Sequence, residues 1–199
     1  MELADGIRRR RMVRAFTPDP LATGDLEGLV DLARRAPSAG HTQGWAFVAL
    51  EGPEETARYW DVALPEPRRA GFRWPGLVAA PGLIVVLVRP AAWVERYAEA
   101  DKAATGLGAA VGAWAVPYWW VDGGAAVEHL LLGAVDRGLG ACFFGLFEHE
   151  AAVLSALGVP DGWRAVGTVA VGHPAPDEPS RSVARGRRSL DEVLHRGGW

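Results

Sequence analysis

Cysteine is almost missing from this 199-residue chain, where Cys142 stands alone. One cysteine cannot close an internal disulfide, and it leaves no cysteine cluster for a structural zinc site. Lysine is as scarce, because every basic residue except Lys102 is arginine. No apolar run reaches the roughly 18 residues that span a bilayer. The opening MELADG lacks the apolar core of a signal peptide, so a cytoplasmic protein is expected. Chemical signatures are also thin. No GxGxxG lies between a strand and a helix, and no GxxxxGK[ST] loop occurs, which removes the dinucleotide and NTPase fingerprints. His41, His129, His149, His173 and His195 show no HExxH spacing, so no metal site is expected. A net charge of −3 and a pI near 6.0 argue against nucleic acid, whose binders usually carry a basic domain or stripe.

What is present suits a globular core. Apolar residues make up 49% and charged ones 23%, and no repeat or interdomain linker interrupts residues 1–199, so one domain is expected. Leu26, Leu29, Val30, Ala33 and Ala36 recur with helical period, with Thr23 as the expected N-cap and Pro37 as the stop. WAFVAL (45–50) reads as a strand, and LIVVLV (83–88) as one buried on both faces. A long helix is expected from Asp122, its N-cap, to Gly138, a left-handed C-cap. That helix is apolar around most of its circumference and needs a large core or a partner chain. GACFFGLF and AVGTVAVG read as two more strands around the helix EAAVLSALG. The terminal SLDEVLHRGGW reads as a short helix or arm. Cys142 is expected buried and inert in its strand. Strands separated by helices place the chain in the α+β or α/β class.

Two stretches carry the question of function. Arg8, Arg9, Arg10, Arg11 and Arg14 crowd one end of the chain, and Arg181, Arg185, Arg187 and Arg188 the other. With nucleic acid set aside, they form either solvated surface or a clamp that closes on one small anion. APSAGHTQGWAFV (36–48) is either an ordinary helix-to-strand turn or a polar loop that meets a flat heterocycle. No acid/base pair stands out, which is compatible with an enzyme whose cofactor carries the reaction.

Taken in order, RRRMVRAF, ARRAPSAGHTQGWAFV, VDGGAAVEHLLLGAVDRGLGACFFGLF, LGVPDGWRAVGTVAVGHP and RRSLDEV resemble the FMN-dependent nitroreductase superfamily over nearly the whole chain. The resemblance implies a three-layer α+β fold with a mostly antiparallel sheet covered by helices, built as an intertwined homodimer. The region around 52–120 matches least and would vary with substrate. The family's R-[RH]-S-x-R stretch, which holds the FMN phosphate and ribityl chain, falls on Arg10, Arg11, Met12 and Arg14. Its P-S-x-x-N-x-Q-P-W loop along the flavin covers Pro37, Ser38, His41, Gln43 and Trp45. Phe143, Phe144 and Gly145 would lie against the isoalloxazine, and Arg187 would return to the phosphate. Arg8 and Arg9 would be surplus.

The implied activity is hydride transfer from NAD(P)H through flavin N5 to an electron-poor acceptor such as a nitroarene or quinone, with ping-pong kinetics and no catalytic side chain. His41, Tyr118 and Trp119 are candidates for the acceptor side. The WAVPYWWVD aromatics are either packing or a border of the open flavin face, with Tyr118 and Trp119 on an irregular segment. The chain departs from the family at Met12, His41, Gly44 and the Glu128–His129 pair. Alternatives are therefore a deazaflavin relative, a specialised biosynthetic enzyme performing dehydrogenation or flavin fragmentation, and a flavin-binding protein without turnover.

Overall fold

The computed structural model describes residues 1–178 and 180–199. Four strands, β1 (Trp45–Glu51), β2 (Gly82–Val88), β3 (Gly140–Phe144) and β4 (Arg164–Gly172), form one sheet of order β1-β2-β4-β3 with every neighbouring pair antiparallel. The expected α+β class with an antiparallel sheet therefore holds. The run LIVVLV lies at the centre and is buried at every position. Period-two alternation divides it. Ile84 and Val86 face one layer together with Val169 and Val171, whereas Leu83, Val85 and Leu87 face the other with Cys142 and Ala170.

The described residues form eight α-helices around the sheet: α1 (Leu3–Arg9), α2 (Asp25–Ala33), α3 (Gly52–Ala63), α4 (Glu66–Arg69), α5 (Pro75–Val78), α6 (Pro90–Tyr97), α7 (Tyr118–Asp136) and α8 (Glu150–Ala156). The apolar faces of α2 and α7 cover one side, through Leu26, Leu29, Ala126, Leu130 and Ala134. From α3 and α8, Tyr59, Trp60, Val153 and Leu154 cover the other. The 52–120 region is thus not all periphery, because it supplies the central strand β2 as well as α3 to α6.

Helix boundaries differ from the sequence reading in two informative places. The α2 N-cap is Gly24, at φ +86°, and not Thr23; the Asp25 carboxylate turns back to accept the Ala22 N–H at 3.1 Å. Past Ala33 the chain tapers through tighter bonds, Arg35 N–H to Leu32 O and Ala36 N–H to Ala33 O, and reaches Pro37 without another helical turn. The long helix α7 begins at Tyr118, with Pro117 as N-cap, so Asp122 lies inside it and caps nothing. Tyr118 and Trp119 therefore occupy its first turn and not an irregular segment. At its other end Gly138 does adopt the left-handed conformation, at φ +72°.

Much apolar surface stays uncovered. Val121 on α7, and Val183, Leu190, Val193, Leu194 and Trp199 on the carboxy-terminal tail, are exposed. That tail is an arm of isolated turns, and among the described residues its side-chain bonds, such as Ser189 N–H to Glu192, stay within it. Among the described residues no helix is long and apolar enough to cross a membrane.

Candidate functional site

After α1 the chain runs along the free edge of β3. Val13 N–H donates to Ala141 O at 2.9 Å, Met12 bridges Ala141 in parallel fashion, and the Phe143 N–H points at Met12 Sδ, 3.4 Å away. The residue that lacks the family's serine hydroxyl thus offers a thioether, a weak acceptor. Arg10 is partly buried. Its Nε lies 3.0 Å from Glu128 Oε1 but is out of line for a hydrogen bond, and its terminal nitrogens have no protein partner among the described residues. Arg14 gives its backbone N–H to the Asp177 carboxylate at 2.8 Å, and its guanidinium lies 5.2 Å over the Trp74 ring. Arg11 is exposed, and Arg8 pairs at the surface with Asp5 in α1.

Four of the predicted residues converge here. Arg14, Phe143, Phe144 and Gly145 line a cleft of about 380 Å³, walled further by Trp60 and Trp74. Phe144 stacks on Trp60 with centroids 5.8 Å apart. Cys142 beneath them is buried, and burial pushes its thiol pKa up, as an inert core cysteine requires. Another cavity, of about 480 Å³, lies where β1 ends and β2 begins, beside Pro20, Glu51, Thr56 and Pro81, and holds none of the predicted residues.

The Pro37–Trp45 loop is a second, separate construction. His41 and Gln43 both have left-handed backbone, at φ +55° and +52°, a strain that non-glycine residues accept only where the surroundings impose it. The surroundings are specific. Asp122 accepts the Ala39 N–H at 2.8 Å and the Trp93 indole N–H at 2.9 Å on one carboxylate oxygen. Arg96 donates to Gly40 O at 2.8 Å, and Ser38 Oγ accepts the Gln43 N–H at 2.9 Å. Burial pushes the Asp122 carboxyl above the usual range, against the opposing pull of its two donors. Gly44 is forced by packing, since a Cβ there would lie 2.3 Å from the Trp93 ring; the family's proline could not fit.

Trp93, Trp114 and Trp119 share one buried cluster, against which the partly buried Ala39 packs. Trp119 is thus wall material. Tyr118 is exposed, with its ring 6.1 Å from Trp114, and His41 and Pro37 are exposed on the loop.

Within one chain, no hydrogen bond or ion pair among the described residues joins this loop to the arginine segment. Arg187 sits in the exposed tail, also without a link to Arg10 or Arg14. Sequence reasoning missed the residues that hold the loop. Asp122 has the composition of a cap and serves as an anchor, and Trp93 and Arg96 carry no local signal at all.

A family model described as "Nitroreductase family" matches residues 7–173. A protein of Archaeoglobus fulgidus provisionally named NADH dehydrogenase/NAD(P)H nitroreductase is 28% identical over 198 residues, covering 97% of this chain and 96% of that one. The 5,6-dimethylbenzimidazole synthase of Rhodospirillum rubrum is 29% identical over 189 residues, covering 88% and 83%. A provisionally named nitroreductase from Desulfovibrio desulfuricans, crystallised with FMN, superposes with a TM-score of 0.72 at 23% identity, covering 100% of this chain and 98% of that one. The family model spans the arginine segment, the strained loop and all four strands of the sheet, and this chain belongs to the nitroreductase family.

Proposed function

We propose that the protein is a homodimeric FMN-dependent oxidoreductase that passes a hydride from NAD(P)H to an electron-poor acceptor such as a quinone or nitroarene. The observation that carries this reading is the arginine segment laid on the edge of β3 and ending beside Phe143–Gly145. The residues fit the cofactor. Among the described residues the Arg10 terminal nitrogens have no protein partner and are available to a phosphate, and a guanidinium edge suits bidentate phosphate bonding. When bound, FMN supplies two-electron chemistry at N5, which accounts for the lack of an acid/base pair.

The chain's own residues bind, orient and exclude water. Arg10, with Arg11 and Arg14 beside it, anchors the phosphate end, and Arg187 approaches from a tail. Phe143, Phe144 and Gly145 support the ring system, with Met12 beneath them. Pro37, Ser38 and Gln43 line the ring from the strained loop, while His41 and Tyr118 border the acceptor side. Two half-sites on one chain, an unpartnered tail and the exposed Val121 on α7 support a two-fold dimer in which the loop of one protomer meets the arginine segment of the other. Obligate interfaces of that kind bury roughly 2,000 Å² or more.

The purified protein should be yellow and release one FMN per chain, and it should oxidise NAD(P)H with a quinone or nitroarene by ping-pong kinetics. A colourless protein that takes up no added FMN at micromolar concentration refutes the reading. The similarity to a dimethylbenzimidazole synthase favours a second reading, a specialised biosynthetic reaction in the same fold. It predicts bound flavin with negligible turnover of quinones and nitroarenes.

A further inference from the structure

We propose that Glu128 is a built-in counter-charge to Arg10 that lowers the protein's affinity for the phosphate of its flavin, and so narrows the distinction between FMN and riboflavin. The inference rests on the flavin reading above. Glu128 projects from α7 to within 3.0 Å of Arg10 Nε, yet the two are not aligned for a hydrogen bond, so the Nε–H is buried without a partner. What Glu128 supplies at that distance is charge. The neighbouring His129 is engaged elsewhere, its Nδ1 lying 3.1 Å from Leu32 O.

A phosphate taken by the free terminal nitrogens of Arg10 lies on the far side of a guanidinium from this carboxylate. The guanidinium between the two anions sets a separation on the order of 7 Å for Coulomb's law. A unit charge and a phosphate of nearly two charges repel at that separation even in water, and Coulomb's law gives a factor of about five in affinity at low ionic strength. Glu128 therefore holds the Arg10 guanidinium in place while opposing the ligand that Arg10 attracts. A ligand without a phosphate escapes the opposition, because nothing charged approaches Arg10.

Quenching of flavin fluorescence, with apo protein in about 10 mM salt, measures the affinity for FMN and for riboflavin separately. Glu128→Gln keeps the shape and an oxygen beside Arg10 and removes only the charge. FMN should bind this variant about fivefold tighter, riboflavin should bind unchanged, and the gain should vanish in about 1 M salt, where charges are screened within about 3 Å. Glu128→Ala, checked for folding by circular dichroism, should shift FMN in the same direction. Equal or weaker FMN binding in both variants overturns the inference. An equal gain for riboflavin also overturns it, since packing would then be the cause. If Arg10→Ala binds FMN like the wild type, the phosphate lies elsewhere and the inference fails while the flavin reading stands. Failure of the wild type to bind either flavin removes both.

Discussion

Replacing Asp122 by alanine should be among the most damaging single changes in the molecule, and replacing it by asparagine among the mildest. One Asp122 oxygen accepts both the Ala39 N–H and the Trp93 indole N–H, at 2.8 and 2.9 Å, in the interior between α6, α7 and the loop. Alanine strands the buried Trp93 indole N–H and the partly buried Ala39 N–H. Each unsatisfied group costs about 1–3 kcal/mol, so Asp122→Ala should lose about 2–6 kcal/mol of unfolding free energy. It should also release the strain held at His41 and Gln43, and with it the geometry of the loop. Asparagine can place its carbonyl oxygen where the accepting oxygen sits and keep both bonds. The charge adds a signed test. Burial raises the Asp122 pKa above its ordinary value near 3.8, so the folded state holds this proton more tightly than the unfolded chain. That contribution to stability is present in full below the unfolded value and fades as pH rises through the folded one. Asp122→Asn should therefore match or exceed wild-type stability at pH 7 and flatten the dependence of stability on pH between about 4 and neutrality. Urea unfolding across pH measures both variants. If Asp122→Ala unfolds within about 0.5 kcal/mol of wild type, the anchor assigned here is wrong; a loss for Asn as large as for Ala would show that charge, and not acceptor geometry, does the holding.

Deleting the tail after Glu178 should convert the proposed dimer to a monomer by light scattering without loss of helix content, because among the described residues the tail's side-chain bonds stay within it. A truncated protein that remains dimeric would refute the arm's role. Trp119→Ala should destabilise by about 3–5 kcal/mol, since the ring is buried, whereas Tyr118→Ala should leave stability intact and change KM or kcat for a quinone several-fold. Reversal of that pattern would exchange their roles. Tyr59 is buried, accepts a hydrogen bond from Thr168 Oγ at 3.0 Å, and has its pKa pushed up to about 12 by burial. Its share of stability is whole below pH 10 and disappears as pH rises towards 12, so alkaline unfolding should be shallower in Tyr59→Phe.

The sheet was legible because its strands announce themselves locally. LIVVLV is too short for a helix, is bounded by Pro81–Gly82 and Pro90, and carries four β-branched residues. Helix starts were harder. Asp122 and Thr23 have good capping chemistry, but capping propensity is worth only about 1 kcal/mol, less than the two anchoring bonds that Asp122 makes or the packing that draws Tyr118 and Trp119 into the helix. The arginine motif was readable as a pattern, and in the fold Arg8 lies at the surface and Arg10 is partly buried. The loop's supports were not readable. Trp93 and Arg96 lie some fifty residues from the loop they hold, and no local periodicity or motif encodes a meeting at that separation.

The sheet order also sets a schedule for synthesis. Strand β2 pairs on one side with β1, already made, and on the other with β4, whose last residue is Gly172. At about 5–20 residues per second, roughly eighty further residues must leave the ribosome before that second edge closes, an interval of about 4–16 s. Throughout it, a wholly apolar β-forming run presents unpaired backbone to its surroundings, the circumstance in which neighbouring nascent chains cross-pair. Expression yield should therefore be limited by crowding of unfinished chains. Slower translation at lower temperature, or a chaperone that shields extended apolar segments, should recover soluble protein without any change to the native state.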